Sequence, residues 1–216
     1  MKIFALPEKN EKLALLFDLD NTLYTNNEYL KTQIDLPIMR LAQLKGKTFE
    51  QMNAEVAAFR SNWAASHNGQ SISLSNTLLT FGVSIEDNIR WREELYFPEN
   101  YLCEDKKLRS VLLQLASRFS LAVVTNNAVS VAVRTLSILG VYDILGKITG
   151  LDTCKSSKPN KEIFLNAAQL CGVSPSLCVS IGDRYDIDIA LPLEMGMGGI
   201  LVDGAEDVYK LPEILA

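Results

Sequence analysis

Two aspartates follow the first strongly apolar run of the chain, with a single leucine between them. The stretch LLFDLDNTLY, residues 15–24, opens with three apolar residues and then presents Asp18 and Asp20. Successive side chains of a strand point to opposite faces, so residues two apart share a face. Two carboxylates about 5 Å apart repel by roughly 3 kcal/mol at the effective dielectric usual near a protein surface. A bound cation, a shared proton or wide exposure to water must offset that repulsion.

Three further polar stretches follow apolar runs in the same way. TNN at residues 125–127 closes the run LAVVT, KSSKPNKE at residues 155–162 follows KITG, and GDRYDID at residues 182–188 closes CVSIG. Ligands of open parallel sheets lie beyond the carboxyl ends of the strands. We therefore expect these four polar stretches to meet at one edge of a sheet.

The elements that must position these residues alternate between strands and helices. The spacing predicts helices over Val129–Leu139 and Lys161–Cys171, each followed by a glycine. Apolar runs without polar alternation suit a parallel sheet covered on both faces. The predicted fold is a three-layer α/β, Rossmann-like parallel sheet. Its strands are Leu13–Phe17, Leu121–Thr125, Lys147–Gly150, Cys178–Gly182 and Gly199–Asp203.

A long helical interval interrupts this alternation. Apolar residues recur there at helical spacing, and Thr48 with Gln51 forms a capping-box pattern. We predict an inserted all-helical cap domain over residues 25–102, and a core formed by residues 1–24 and 103–216.

Composition excludes several classes of protein. The chain has 216 residues, 48% of them hydrophobic, and a formal net charge of −5, which disfavours binding of a nucleic acid polymer. No apolar run is long enough for a signal peptide or a membrane span, so we expect a cytoplasmic protein. The single histidine, His67, excludes a histidine-based metal cluster. Four cysteines without zinc spacing predict reduced, mostly buried thiols.

The order of these motifs resembles the haloacid dehalogenase superfamily of aspartate-nucleophile phosphohydrolases. The chain shows D-x-D-N-T-L at residues 18–23, a strand ending in Thr125, Lys158 before a proline, and G-D-x-x-x-x-D at residues 182–188. The resemblance covers nearly the whole chain and implies a helical cap in the first of the family's two cap positions. The chain departs from the family pattern at Arg184, which follows Gly182 and Asp183 where a small residue is commoner.

The resemblance and the chemistry of phosphate esters assign the same roles to the two aspartates. Asp18 is the candidate nucleophile, which would form an aspartyl-phosphate. Asp20 would protonate the leaving oxygen and later accept a proton from water. In the family, Mg²⁺ is held by residues that correspond to Asp18, the backbone carbonyl of Asp20, and Asp183. Oxygen ligands of this kind suit Mg²⁺.

The resemblance also assigns the residues that bind the phosphoryl group. The Thr125 hydroxyl and the backbone amide of Asn126 would donate hydrogen bonds to its oxygens. Lys158 would neutralise its charge, and is favoured over neighbouring lysines because it directly precedes Pro159. Asp188 would support the site by orienting Lys158 or a metal-bound water.

Asp20 favours phosphate chemistry, because the dehalogenase branch of the family lacks a second aspartate. We predict a Mg²⁺-dependent phosphomonoesterase for a small phosphorylated metabolite, either a nucleotide monophosphate or a sugar phosphate. Two alternatives stay open: a phosphotransferase or mutase of the same fold, and a catalytically silent interaction protein. Candidate substrate contacts are Tyr24, Asn26, Asn27 and the loop at residues 45–47. The oligomeric state is not encoded in any motif of the sequence.

Overall fold

The apolar runs of the sequence form the centre of a mostly parallel β-sheet. The computed structural model of the chain describes residues 1–7 and 12–216. The strands in these ranges are β1 (Lys2–Ala5), β2 (Ala14–Phe17), β3 (Ser120–Val124), β4 (Ile148–Thr149), β5 (Cys178–Gly182) and β6 (Gly198–Leu201). Their order across the sheet is β1-β6-β5-β2-β3-β4, so β2, which leads into Asp18, lies between β5 and β3.

Helices connect the strands and cover the sheet. Those in the described ranges are α1 (Asn27–Lys45), α2 (Phe49–Ser66), α3 (Leu74–Thr80), α4 (Ile85–Leu95), α5 (Lys106–Ala116), α6 (Val129–Ile138), α7 (Leu151–Cys154), α8 (Lys161–Cys171), α9 (Ala190–Glu194), α10 (Ala205–Val208) and α11 (Leu211–Ile214). Short 3₁₀ turns cover Pro98–Asn100 and Pro175–Leu177, and a π-helical turn covers Tyr185–Ile189.

The two faces of β2 belong to different apolar clusters, which gives the core its three layers. Leu15 and Phe17 pack in a cluster that includes side chains of α5, α6 and α11. Ala14 and Leu16, on the opposite face, pack in a cluster that includes α8. All four residues of β2 are buried, as expected for a strand covered on both sides. The predicted three-layer α/β architecture is confirmed.

The structure corrects one feature of the predicted sheet. The strand Lys2–Ala5 was not predicted, and it pairs antiparallel with β6 at the edge of the sheet. The other strand pairings within the described residues are parallel, as expected. The apolar run of β1 is short and largely exposed, so its strand conformation depends on pairing with β6, which lies nearly 200 residues away in the sequence.

The interval between β2 and α5 is helical, as predicted, and has an apolar cluster of its own. This cluster includes Ile38 and Leu41 of α1, Met52 of α2, Leu78 of α3 and Trp91 of α4. The inserted helical cap is therefore part of the fold, whereas the exact boundaries proposed for it, residues 25–102, stay a prediction.

Two remaining expectations concern surface and composition. No helix in the described ranges combines the length and apolarity that a membrane span requires. All four cysteines are free, but only Cys178 is buried, so the prediction of mostly buried thiols was wrong. Cys103 is exposed, and the other two are half-buried because each lies on a helix near the edge of the apolar cluster around α8.

Candidate active site

The residues singled out by the sequence converge where the central strands end. Asp18 directly follows β2, Thr125 follows β3, and Asp183 follows β5. Asp188 lies in the π-helical turn after β5, and Lys158 lies in the loop between α7 and α8. Parallel neighbours place their carboxyl ends on the same edge of the sheet, which is why residues so far apart in the sequence meet here.

Lys158 lies at the centre of this group and is only 1% exposed. Its ammonium donates hydrogen bonds to Asp18 Oδ1 at 2.5 Å and to Asp188 Oδ1 at 2.7 Å. A third bond, also 2.7 Å, goes to the backbone carbonyl of Val124. An ammonium has three donors, so all of them are used within the site. The cation that offsets the charge of the first aspartate is therefore a buried lysine of the chain itself.

Asn126 holds the backbone of the loop that presents Lys158. Its side-chain oxygen accepts a hydrogen bond from the amide of Lys158 at 2.6 Å, and its side-chain nitrogen donates to the Lys158 carbonyl at 3.3 Å. This pair of bonds ties the end of β3 to the loop before α8. The side chain of Asn126 thus positions the lysine, in addition to the backbone role predicted for this residue.

Burial dominates the electrostatics of the site. Loss of solvent, helped by the carboxylates of Asp188 and Asp183 and opposed by the charge of Lys158, raises the pKa of Asp18 to about 7. Burial also acts to lower the pKa of Lys158, but the charges of Asp18 and Asp188 outweigh it, and the pKa of Lys158 is raised. The lysine is therefore a cation at neutral pH.

The carboxylates of the site fit a divalent ion. One oxygen from each of Asp18, Asp183 and Asp188 lies within 4.8 Å of the other two. Asp183 Oδ2 accepts a hydrogen bond from Asn21 at 2.9 Å, but the buried Asp183 Oδ1 has no hydrogen-bond partner and lies 3.7 Å from Nε of Arg184. Burial raises the pKa of Asp183 despite that bond. An orphaned buried carboxylate oxygen among other acids is what a hard cation such as Mg²⁺ would satisfy.

Asp20, the second aspartate, contacts a different set of partners. Its Oδ1 accepts hydrogen bonds from the hydroxyl of Tyr24 at 2.5 Å and from the side-chain amide of Gln33 at 3.1 Å. Its Oδ2 accepts one from the side-chain amide of Asn127 at 2.8 Å. The two aspartates thus have different electrostatic environments: Asp18 binds a cation, and Asp20 binds three neutral hydrogen-bond donors. Gln33 comes from α1, so the cap touches the candidate acid directly.

Thr125 and Asn127 form one turn at the end of β3. Thr125 is fully buried, and its hydroxyl oxygen accepts a hydrogen bond from the amide of Asn127 at 3.1 Å. That bond orients the loop so that the Asn127 side chain reaches Asp20. The threonine hydroxyl keeps its own proton for donation, which is the property the predicted phosphate contact needs.

A cavity of about 240 Å³ lies between the strand ends and the cap. The core side of its lining includes Asp20, Asn126 and Asp183, three of the residues predicted from the sequence. Asp18 and Lys158 lie more deeply buried beside it. The cap side is lined by residues that include Gln33 and Ile34 of α1, Leu74 and Ser75 of α3, and Arg92 and Tyr96.

The predicted substrate contacts in the cap do not line this cavity, as far as the described residues show. The loop at residues 45–47 ends α1: Gly46 has a left-handed φ of 63°, and Lys47 forms an ion pair with Glu55. Asn26 caps α1 by accepting a hydrogen bond from the backbone amide of Tyr29, while the Tyr24 hydroxyl donates one to Asp20. These polar residues have local structural roles, and sequence alone did not distinguish such roles from ligand contacts.

The comparison with protein families agrees with this geometry. The profile of the haloacid dehalogenase-like hydrolases matches residues 13–196, which include every predicted site residue. The chain belongs to this family. The chain is therefore an enzyme, and its phosphatase-named relatives support the phosphatase branch of the family.

Individual relatives are distant, and they differ in how much of their length they share with this chain. A glyceraldehyde 3-phosphate phosphatase of Methanothermobacter thermautotrophicus is 24% identical over 200 residues, which cover 88% of this chain and 85% of the relative. A phosphoglycolate phosphatase of Psychrobacter arcticus is 31% identical over 71 residues, 33% of this chain and 31% of the relative. The solved structure of a HAD phosphatase from Thermococcus onnurineus, 19% identical, has a TM-score of 0.61 and covers 94% of this chain and 98% of its own.

Several residues of the site were missed by sequence reasoning. Asn127 belongs to a polar stretch that was noted, but its contact with Asp20 depends on the shape of the turn. Gln33 is a buried polar residue on a helix whose buried face is otherwise mainly apolar, and that exception to the pattern is a signal available in the sequence. Arg92 is likewise buried on a strongly polar helix, where no periodicity indicates which charge points inward.

Proposed function

We propose that this chain hydrolyses phosphate monoesters of small metabolites, with Mg²⁺ as cofactor and an aspartyl-phosphate as intermediate. One observation carries the proposal: a buried carboxylate, Asp18, is bound by a buried ammonium, beside a second carboxylate held by three neutral donors. A binding protein has no use for two aspartates kept in such different environments. A two-step acyl-phosphate mechanism requires them.

In the first step, an oxygen of Asp18 attacks the phosphorus atom of the bound ester. The bond between phosphorus and the leaving oxygen breaks, and Asp20 gives that oxygen a proton. Lys158 holds the nucleophile in place through its 2.5 Å bond and places positive charge beside the phosphoryl group. The Thr125 hydroxyl and the Asn126 amide orient the phosphoryl oxygens.

In the second step, water attacks the phosphorus of the aspartyl-phosphate. Asp20, now ionised, accepts a proton from that water, and inorganic phosphate leaves as Asp18 regains its carboxylate. The hydrogen bonds from Tyr24, Gln33 and Asn127 hold Asp20 in one position through both transfers. The aspartate therefore acts as acid and then as base without changing its place.

The residues that would hold Mg²⁺ are Asp18, Asp183 and the backbone carbonyl of Asp20, with Asp188 in support through Lys158. When bound, the ion supplies charge neutralisation for the phosphoryl oxygens. Asp183 Oδ1, which lacks a hydrogen-bond partner, is the strongest structural support for this assignment.

The size of the cavity favours the smaller candidates among phosphorylated metabolites. A volume of about 240 Å³ lies below the roughly 300–1,000 Å³ usual for small-molecule sites. The two relatives named above are called after a three-carbon and a two-carbon phosphate ester, glyceraldehyde 3-phosphate and phosphoglycolate. We therefore favour a short phosphate ester over a nucleotide monophosphate.

The proposal is tested by phosphate release from p-nitrophenyl phosphate and from a panel of metabolite monophosphates, with Mg²⁺ or with chelator. Asp18→Asn should reduce kcat by at least about 1,000-fold, because an amide cannot form the aspartyl-phosphate. Asp203→Asn is the matched control: Asp203 has an 87% exposed side chain and lies outside the site, so its variant should keep wild-type activity.

Two results would contradict the proposal. Phosphate release that survives in Asp18→Asn would exclude the aspartate nucleophile. A folded wild type that converts no ester would exclude hydrolysis. A mutase would be recognised by an isomeric phosphate ester that appears without stoichiometric inorganic phosphate.

A further inference from the structure

Arg92 is a buried cation in the cap, on the last turns of α4. It is 3% exposed. One terminal nitrogen donates hydrogen bonds to the backbone and side-chain oxygens of Asn88, and the other donates to the hydroxyl of Ser75 at 2.8 Å. Its Nε is buried without any hydrogen-bond partner. The guanidinium therefore has neutral partners, and these three bonds use only three of its five N–H donors.

The charge of Arg92 has no acidic partner among the described residues. Arg90, two residues earlier on the same helix, forms ion pairs with Asp87 and Glu94 and is 61% exposed. A buried charge without a counter-charge costs several kcal/mol, so proteins rarely keep one without a use. The exposed arginine is neutralised, while the buried one is left available.

Arg92 lines the same cavity as the candidate catalytic residues. Its guanidinium lies over the ring of Tyr96, 5.8 Å from the centroid. The Tyr96 hydroxyl donates to the carbonyl of Gln33 at 2.6 Å, and the Gln33 side chain donates to Asp20. This chain of contacts connects the cation in the cap to the acid in the core across one small cavity.

Two other cations near the cavity, Lys158 and Arg184, have acidic partners. Lys158 uses its three donors on Asp18, Asp188 and a carbonyl oxygen. Arg184 also lines the cavity, but its side chain is 41% exposed to water, and its Nε forms an ion pair with Asp183 Oδ1 at 3.7 Å, too long for a hydrogen bond. Among the described residues that line the cavity, Arg92 is therefore the buried cation without an acidic partner.

We propose that Arg92 binds a second anionic group of the substrate, on the opposite side of the cavity from the phosphoryl group that reacts. The preferred substrates are then small phosphate monoesters that also carry a carboxylate or a second phosphate. This inference rests on the proposed function. A guanidinium suits both anions, since it offers paired donors in a planar fork.

The test compares phosphate release from three small esters: 2-phosphoglycolate, ethane-1,2-diol bisphosphate and 2-hydroxyethyl phosphate, which has no second anionic group. For the wild type we expect kcat/KM for at least one of the first two esters to exceed that for 2-hydroxyethyl phosphate by about 10- to 100-fold. This is the factor that one charge-assisted hydrogen bond provides. The first ester tests for a carboxylate and the second for another phosphate.

Arg92→Met should reduce this preference at least tenfold, and Arg92→Lys should retain part of it. The preference is a ratio measured on one sample, so it does not depend on the fraction of the variant that is folded. Arg90→Met is the matched control, because it removes an exposed charge from the same helix, and it should leave the ratio unchanged. A wild type without a preference, or a preference that survives in Arg92→Met, would overturn the inference.

A binding measurement separates this inference from the proposed function. Calorimetry on the inactive Asp18→Asn variant measures the dissociation constants of 2-phosphoglycolate, the bisphosphate and 2-hydroxyethyl phosphate. Adding Arg92→Met to this variant should weaken binding of at least one of the first two esters at least tenfold more than binding of 2-hydroxyethyl phosphate. This binding measurement does not require the enzyme to turn over substrate. Hydrolysis of p-nitrophenyl phosphate by the wild type, by contrast, tests only the proposed phosphatase activity.

Discussion

The ammonium of Lys158 lies between two buried carboxylates, those of Asp18 and Asp188. Each of the three side chains is at most 4% exposed, so none of them can exchange its partners for water. Such a group is stable only as a whole, because the loss of one member leaves an uncompensated buried charge. The same arrangement that suits catalysis is therefore a point of vulnerability for the fold.

Lys158→Met should lower the free energy of unfolding by about 3–5 kcal/mol in metal-free buffer, the cost of breaking a buried ion pair from one side. Chemical denaturation monitored by circular dichroism measures this change. Lys155→Met is the matched control: Lys155 is 69% exposed and forms an exposed ion pair with Glu86, so its loss should cost less than about 0.5 kcal/mol.

The double variant Lys158→Met with Asp188→Asn should recover part of that stability, since it removes one of the two stranded carboxylates. Equal stability of the single and double variants would contradict the assignment of the loss to unpaired charge. A single variant as stable as the wild type would show that Lys158 is not the counter-charge of the site.

The end of β5 shows how a secondary-structure element positions the site. Gly182 is the last residue of the strand, and the Asp188 side chain packs directly against it. A Cβ atom at this position would lie 2.5 Å from the Cβ of Asp188 and 2.6 Å from its Cγ. Only a glycine lets the π-helical turn fold back far enough for Asp188 to reach Lys158.

Gly182→Ala should therefore displace Asp188, lower kcat/KM for phosphate release by about 100-fold, and destabilise the fold by about 1–3 kcal/mol. Gly198→Ala on β6 is the matched control: its Cβ would lie 2.7 Å from the carbonyl oxygen of Ala5, at the edge of the sheet and away from the site. Gly198→Ala should lower the free energy of unfolding by a similar amount, but it should reduce kcat/KM per folded molecule much less than Gly182→Ala does. Equal losses of activity in the two variants would contradict the positioning argument.

At the scale of the whole molecule, three acids from two distant parts of the chain meet in the core. Asp18 follows β2, while Asp183 and Asp188 follow β5, so the cluster exists only when the sheet is formed. A ligand that binds the folded state but not the unfolded chain stabilises the fold by mass action. Binding of a divalent ion should therefore be visible as added stability, independently of turnover.

Mg²⁺ at about 100 times its dissociation constant should add about 2.7 kcal/mol and raise Tm by roughly 5–10 °C for a chain of this length. Thermal unfolding with Mg²⁺ and with chelator measures the shift. Asp183→Asn should abolish it. Asp186→Asn should keep it, because the hydrogen bonds of the Asp186 side chain to the described residues go to Ser71 in the cap. The absence of a shift in the wild type, or an equal shift in Asp183→Asn, would exclude the proposed metal site.

Features that depend on local pattern were predicted well from the sequence. The helix Lys161–Cys171 was predicted with its observed bounds because Gly172 adopts the left-handed conformation that ends it. Strand β5 was predicted with the same accuracy, and β3 was displaced by a single residue. The spacing of Asp18 and Asp20, and the order of the four motifs, were sufficient for the family and for most of the candidate site.

Features that depend on distant partners were not predicted. Strand β1 forms only because β6 offers an open edge. Gln33 meets Asp20, and Arg92 turns inward to the cavity, because the helices of the cap pack over the strand ends in one particular orientation. Sequence by itself determined which chemical groups are present and the local elements that carry them, since propensity and periodicity act over a few residues. Only the tertiary structure decided which groups face one another, because burial and pairing are settled by packing between segments far apart in the chain.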